Sequence, residues 1–124
     1  MTTPEEQVGK MFVEHYYNAF DTNRAALASL YQPDSYLTFE GKHFVGTQAI
    51  MEKLTSLPFA RCAHQLDTLD VQRSPTGGLL VFTTGALKVE GEANPMRFSQ
   101  TFHLSQVGSN WVVTNDMFRL NLSG

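Results

Sequence analysis

Apolar residues recur at helical spacing near the start of the chain, where Val8, Met11, Phe12, Tyr16, Ala19 and Phe20 would share one face of a helix. Thr3-Pro4-Glu5-Glu6 supplies its start, with Thr at the cap, Pro at the first helical position and a Glu where a capping box needs one. Asp21-Thr22-Asn23 interrupts the pattern. The Ala/Leu-rich stretch Arg24 to Tyr31 predicts a short second helix ended by Pro33. Ser35 to Phe39 and Phe44-Val45 predict a small hairpin around Glu40-Gly41-Lys42-His43, and Thr47 to Ser56 a third helix, with Ile50, Met51 and Leu54 inward and Pro58 closing it.

After Pro58 the period changes from 3.6 residues to 2. Ala63 to Gln72 alternates moderately, and Ser74-Pro75-Thr76-Gly77-Gly78 has turn chemistry. Leu79 to Glu90, Met96 to Val107 and Trp111 to Leu120 follow, separated by Gly91–Pro95 and Gly108-Ser109-Asn110. Long strands with short turns predict an antiparallel meander, and helices before strands predict an α+β fold with the helices on one sheet face. Both parities of the strands carry bulk. Leu79, Val81, Leu87 and Val89 oppose Leu80, Phe82 and Ala86, and in the last strand Trp111, Val113 and Met117 oppose Val112, Phe118 and Leu120. A twisted sheet with ragged ends would give this pattern. So would a second face packed on another copy of the chain, which we favour and which predicts a homodimer.

Composition narrows the classes. With 124 residues and neither linker nor repeat, positions 1–124 read as one domain, long enough for a core without metal or disulfide help. Nine Lys plus Arg against twelve Asp plus Glu, net −3, argue against a nucleic-acid partner. No apolar run approaches the ~18 residues of a membrane span, and no secretory signal opens the chain. The lone cysteine, Cys62, suits a reducing compartment. Arg61 beside it would lower its pKa somewhat, although a small buried thiol is the simpler reading.

Candidate chemistry is sparse. His15, His43, His64 and His103 form no helical metal pair, and no Cys lies at ligand spacing, so no metal or cofactor is expected. Nucleophile elbows and phosphate loops are absent. His64 and Asp67 differ in strand parity, while Asp116, flanked by Met117 and Phe118, is the better candidate for a buried carboxylate. Glu90-Gly91-Glu92, if extended, presents two carboxylates side by side at a hairpin tip, either solvated and offset by Lys88 or ready for a partner's Lys or Arg. Phe39-Glu40 joins an aromatic to a carboxylate just before the Gly41 turn, and Phe59 follows Pro58 outside the predicted elements. Each Phe alone would suit a core. Together with the acidic tip they suggest an apolar cavity with an acidic rim, complementary to a basic partner bearing an aromatic side chain.

His15-Tyr16-Tyr17, Phe20-Asp21, Leu37-Thr38-Phe39-Glu40-Gly41, Glu52-Lys53-Leu54, Ser56-Leu57-Pro58-Phe59 and Asn115-Asp116-Met117-Phe118-Arg119-Leu120 resemble the nuclear transport factor 2 family, from about Gln7 to Leu120. The resemblance implies a cone-shaped α+β roll of the cystatin-like kind, with N-terminal helices packed on a strongly bent antiparallel sheet. It further implies a homodimer that carries the GDP form of the GTPase Ran into the nucleus, shuttling between cytoplasm and nucleus through the pores of the nuclear envelope. An aromatic of Ran would enter the cone's mouth beside Phe39 and Phe59, and basic Ran side chains would pair with Glu40, Glu90 and Glu92, with His64 near the contact. Phe-Gly repeats of nucleoporins would bind weakly through aromatic surface including Phe39. Family members often carry Trp at the position of Phe39 and Asp at the tip, so an N–H donor is lost here and the acids reach one methylene further. The broader cone superfamily includes enzymes that share shape far more than sequence. A dehydratase or isomerase acting on a small apolar substrate, with Asp116 or a histidine as base, is the alternative reading.

Overall fold

The computed structural model describes residues 3–58 and 61–121. Helix α1 spans Pro4–Thr22 and starts as its sequence requires: Glu6 N–H donates to Thr3 Oγ1 at 3.1 Å, and Thr3 N–H donates to Glu6 Oε1 at 3.2 Å. A 3-10 helix, Arg24–Leu30, leads into strand β1, Tyr31–Phe39, which turns into β2, Lys42–Val45; helix α2 spans Thr47–Thr55. Four long strands follow: β3 Cys62–Arg73, β4 Leu79–Val89, β5 Met96–Val107 and β6 Asn110–Leu120. No helix among the described residues is long and apolar enough to cross a membrane.

The expected meander is present, since β3, β4, β5 and β6 pair antiparallel in order. The sheet is nonetheless mixed rather than wholly antiparallel. Its order is β2-β1-β6-β5-β4-β3, and β1 runs parallel to β6. Alternation within a strand reports which face is buried but not which neighbour it pairs with, so this parallel contact has no local signature.

Residues 24–39 also differ from expectation. The short helix expected from Arg24 to Tyr31 is present as a 3-10 helix with only Leu27 buried, and β1 begins at Tyr31 rather than Ser35. Pro33 holds Gln32 out of the α region, and β1 absorbs the proline in a bulge where the register against β6 passes from Tyr31↔Val113 to Tyr36↔Asn115. The buried Ser35 hydroxyl bridges this bulge, donating to Val113 O and accepting from Gln32 N–H.

Two further irregularities curl the sheet, one on β3 between Leu66 and Thr68 and one between β5 and β6 at His103/Leu104. Opposite the first lies Gly85, where an added Cβ would fall 2.1 Å from Gln65 O. The concave face wraps α1, with Phe12, Val13 and Tyr16 against Phe98 and Phe102 in one core. On the convex face, Leu80, Phe82, Met117, Tyr36 and Val45 stay exposed. The register aligns Phe82, Thr101, Met117 and Thr38 in one row across β4, β5, β6 and β1. The bulk of both parities is therefore real, and twist does not hide it.

Candidate functional site

Between α1, α2 and the concave sheet lies a cavity of about 130 Å3. Its wall combines Tyr16 and Phe20 of α1, Leu54 and Leu57 at the end of α2, Leu37 and Phe39 of β1, Leu87 of β4, Met96 of β5, and Phe118 and Leu120 of β6. Among the described residues of the lining, polar groups come from His64, Gln100, Asp116 and the Tyr16 hydroxyl. A void of ~150 Å3 with an apolar lining is enough to take up a benzene ring, so this space suits one aromatic side chain.

Phe39 stands in the wall, half-buried. Its ring stacks on Phe118 at 4.9 Å and 12°, and the Lys53 ammonium lies 5.1 Å from its centroid. The parallel β1–β6 register puts these two rings side by side, which the sequence alone did not show. Glu40 and Gly41 form the two-residue link to β2 with φ of 52° and 85°. Positive φ is costly for Glu, and strain of this kind collects at binding sites. Glu40 Oε1 accepts from Leu120 N–H at 2.5 Å, which pins the carboxylate beside the cavity wall.

Glu90 and Glu92 lie in a neighbouring groove shared with Pro58 and with Met96, which also lines the cavity. The expected extended geometry is not found: β4 ends at Val89, Gly91 has φ 90°, and Glu92 N–H closes a turn onto Val89 O at 3.0 Å. An ion pair joins Glu90 to Arg61 at 4.0 Å, with both side chains exposed. Such a pair contributes roughly 0–1 kcal/mol and yields readily to another cation. Phe59 lies outside the described residues.

The polar floor is where reading the sequence fell short. Asp116 is fully buried, as expected, and both its oxygens are occupied: Tyr31 donates at 2.8 Å and Tyr16 at 3.3 Å to Oδ2, and Gln100 donates at 2.8 Å to Oδ1. Tyr17 donates to Gln100 Oε1 at 2.7 Å and completes the network. Burial raises the Asp116 carboxyl to about 6 despite these donors, and burial also holds the Tyr16, Tyr17 and Tyr31 hydroxyls well above their ordinary range.

His64 pairs elsewhere than with Asp67, as their differing strand parity implies. Its side chain is 3% exposed and pairs with Asp21, at the end of α1, at 2.7 Å from Nδ1 to Oδ1, while its backbone N–H donates to Asp21 Oδ2 at 2.9 Å. The imidazole stacks on Tyr17 at 4.3 Å and 9°. Burial pushes Asp21 up, but the His64 hydrogen bonds outweigh it and leave the carboxyl below its usual value. The simpler reading of Cys62, a small buried thiol, is the one the structure shows. Cys62 is buried, and burial first, then the hydrogen bond to Asp21, push the thiol up to about 12; the guanidinium near its sulfur belongs to Arg24.

A bent mixed sheet wrapped around one long helix, with an apolar well and acids beside it, defines a cone-shaped α+β roll. Within that class the chain belongs to the nuclear transport factor 2 (NTF2) domain family, whose model matches residues 8–120. A relative named nuclear transport factor 2 from Oryza sativa subsp. japonica is 56% identical over 117 residues, covering 94% of this chain and 96% of that protein. One of the same name from Saccharomyces cerevisiae is 50% identical over 113 residues, covering 90% of each. The solved structure of nuclear transport factor 2 from Cryptosporidium parvum superposes with a TM-score of 0.91 at 42% identity, covering 98% of each chain.

Proposed function

We propose that the chain is a nuclear import carrier for the GDP-bound form of Ran, with residues 1–124 working as one domain, in the cytoplasm, the nucleus and the pores between them. One observation carries this reading: an apolar well sized for one aromatic ring has Glu40 beside one wall and Glu90 and Glu92 beside another. A switch-region aromatic of Ran seats against Phe39 and Phe118, and flanking basic side chains pair with the three acids. His64, tied to Asp21, shapes the wall rather than reaching out to the partner. Because the partner's segment moves with its nucleotide, contact there selects one nucleotide state. The part-exposed Phe39 also gives Phe-Gly nucleoporin repeats a weak foothold. Two copies joined through the convex faces double these contacts and add avidity.

We read the molecule as a carrier rather than an enzyme. Three of the roughly four lone-pair sites on the Asp116 oxygens are taken by Tyr16, Tyr31 and Gln100, which ties the carboxylate into the fold rather than aiming it at a substrate proton. The names of the close relatives, all transport factors, support the same side. The test is capture of purified Ran loaded with GDP or GTP on beads bearing this chain. Selective retention of the GDP form is expected; equal retention of both forms, or of neither, overturns the reading.

A further inference from the structure

Away from the mouth, Asp21, Cys62 and His64 bring three unlike donor atoms together, all within 4.8 Å of one another. We propose that this cluster is a binding site for a borderline-soft divalent cation of the zinc type, held by one carboxylate oxygen, one thiolate and one imidazole nitrogen, with water as fourth ligand.

The donor set has the chemistry of a zinc site, and sulfur and nitrogen together disfavour Mg2+ and Ca2+. Two of the three spacings are close to what the ion needs, and the third, sulfur to nitrogen, is within 4.8 Å. Tetrahedral bonds of the usual lengths place O and S about 3.5 Å apart and O and N about 3.3 Å apart. Cys62 Sγ lies 3.3 Å from Asp21 Oδ1, and His64 Nδ1 lies 2.7 Å from it, so the imidazole has to withdraw by about half an ångström. Two of the donors are already oriented. The Asp21 carboxylate is fixed through Oδ2 by the His64 N–H, and the imidazole is stacked on Tyr17 with Phe20 against its face edge-on. The Asp21 side chain, 19% exposed, provides the route to solvent. Arg24, 3.9 Å from the sulfur, is an outer-shell N–H donor to the thiolate, and the site's charges balance: one dication against one thiolate and one carboxylate. On binding, the Cys62 S–H bond breaks and its proton leaves to solvent. The His64 proton is then carried on Nε2, so the Nδ1 lone pair binds the ion.

Spacing along the chain concealed this site because Asp21 lies 41 residues before Cys62. The test is titration of the untagged full chain with Co2+, followed by competition with Zn2+. Because Cys62 is the sole thiol, a sulfur-to-cobalt charge-transfer band in the near ultraviolet identifies it as ligand. One ion per chain is expected, with Zn2+ bleaching the band. The volume-conserving Cys62→Val should abolish it, and His64→Gln and Asp21→Asn should each weaken binding at least tenfold. Where either of these two fails to fold, circular dichroism shows it and the Cys62→Val comparison decides. No band on the wild-type chain, or cobalt affinity unchanged in Cys62→Val, overturns the proposal.

Discussion

Asp116 keeps a carboxyl near pH 6 under three hydrogen bonds because desolvation outweighs its donors. Its ordinary value is 3.8, so across this window the folded state holds a proton that the unfolded chain has released. The stabilisation from this residue is complete below 3.8 and is lost as pH rises through about 6. Urea denaturation between pH 4 and 8 should show the wild type losing about 2 kcal/mol relative to Asp116→Asn. Parallel stability profiles would refute it. The rim is tested by charge reversal. Glu92 sits in the exposed groove beside the well, so Glu92→Lys should weaken Ran-GDP binding at least tenfold by calorimetry while leaving the thermal transition unchanged. Unaltered affinity removes Glu92 from the interface.

At the scale of elements, the sheet's curl depends on close approach at one glycine. Gly85 faces the β3 bulge, with Gln65 O 2.1 Å and a Phe98 ring carbon 3.2 Å from where a Cβ would sit. Gly85→Ala must push two paired strands apart, and a loss of about 3 kcal/mol is expected by chemical denaturation, at the upper end for overpacking. A loss below about 0.5 kcal/mol would mean the bend accommodates a side chain freely. The four long strands were legible in advance, β5 to the residue, because period-2 alternation over ten or more positions has no helical rival. Over residues 24–39 the short helix and the hairpin strand were legible, but the 3-10 form of the helix, the earlier start of β1 and its parallel pairing with β6 were not, because Pro33 and the β6 partner decide them. The site divides in the same way. Its rim acids and Phe39 stand next to turns and could be read off, whereas its floor joins Asp21 to His64 across 43 residues and Tyr31 to Asp116 across 85, and no local pattern announces such pairs.

At the scale of the whole molecule, the convex face is the largest feature that one chain leaves unexplained. Phe82 and Met117, 42% and 54% exposed, lie in one row with Thr101 between them, flanked by Leu80 and Tyr36 in the adjoining row. A second copy packed on this face, as proposed above, would cover it. Phe82→Glu should then shift sedimentation from dimer to monomer at micromolar concentration, leaving the circular dichroism spectrum intact; an unchanged mass would exclude the face as the seam. The order of the strands has a different consequence, in time rather than space. β6 lies between β1 and β5, yet the ribosome makes it after both. Until it emerges, β1–β2 and β3–β5 are two separate fragments, and Phe98 and Phe102 on β5 lack their covering strand on that side. The nascent chain cannot close strand by strand as it is synthesised. It must wait for its last strand, and during that wait it presents an unpaired β5 edge to whatever chaperone or neighbouring polysome is nearest.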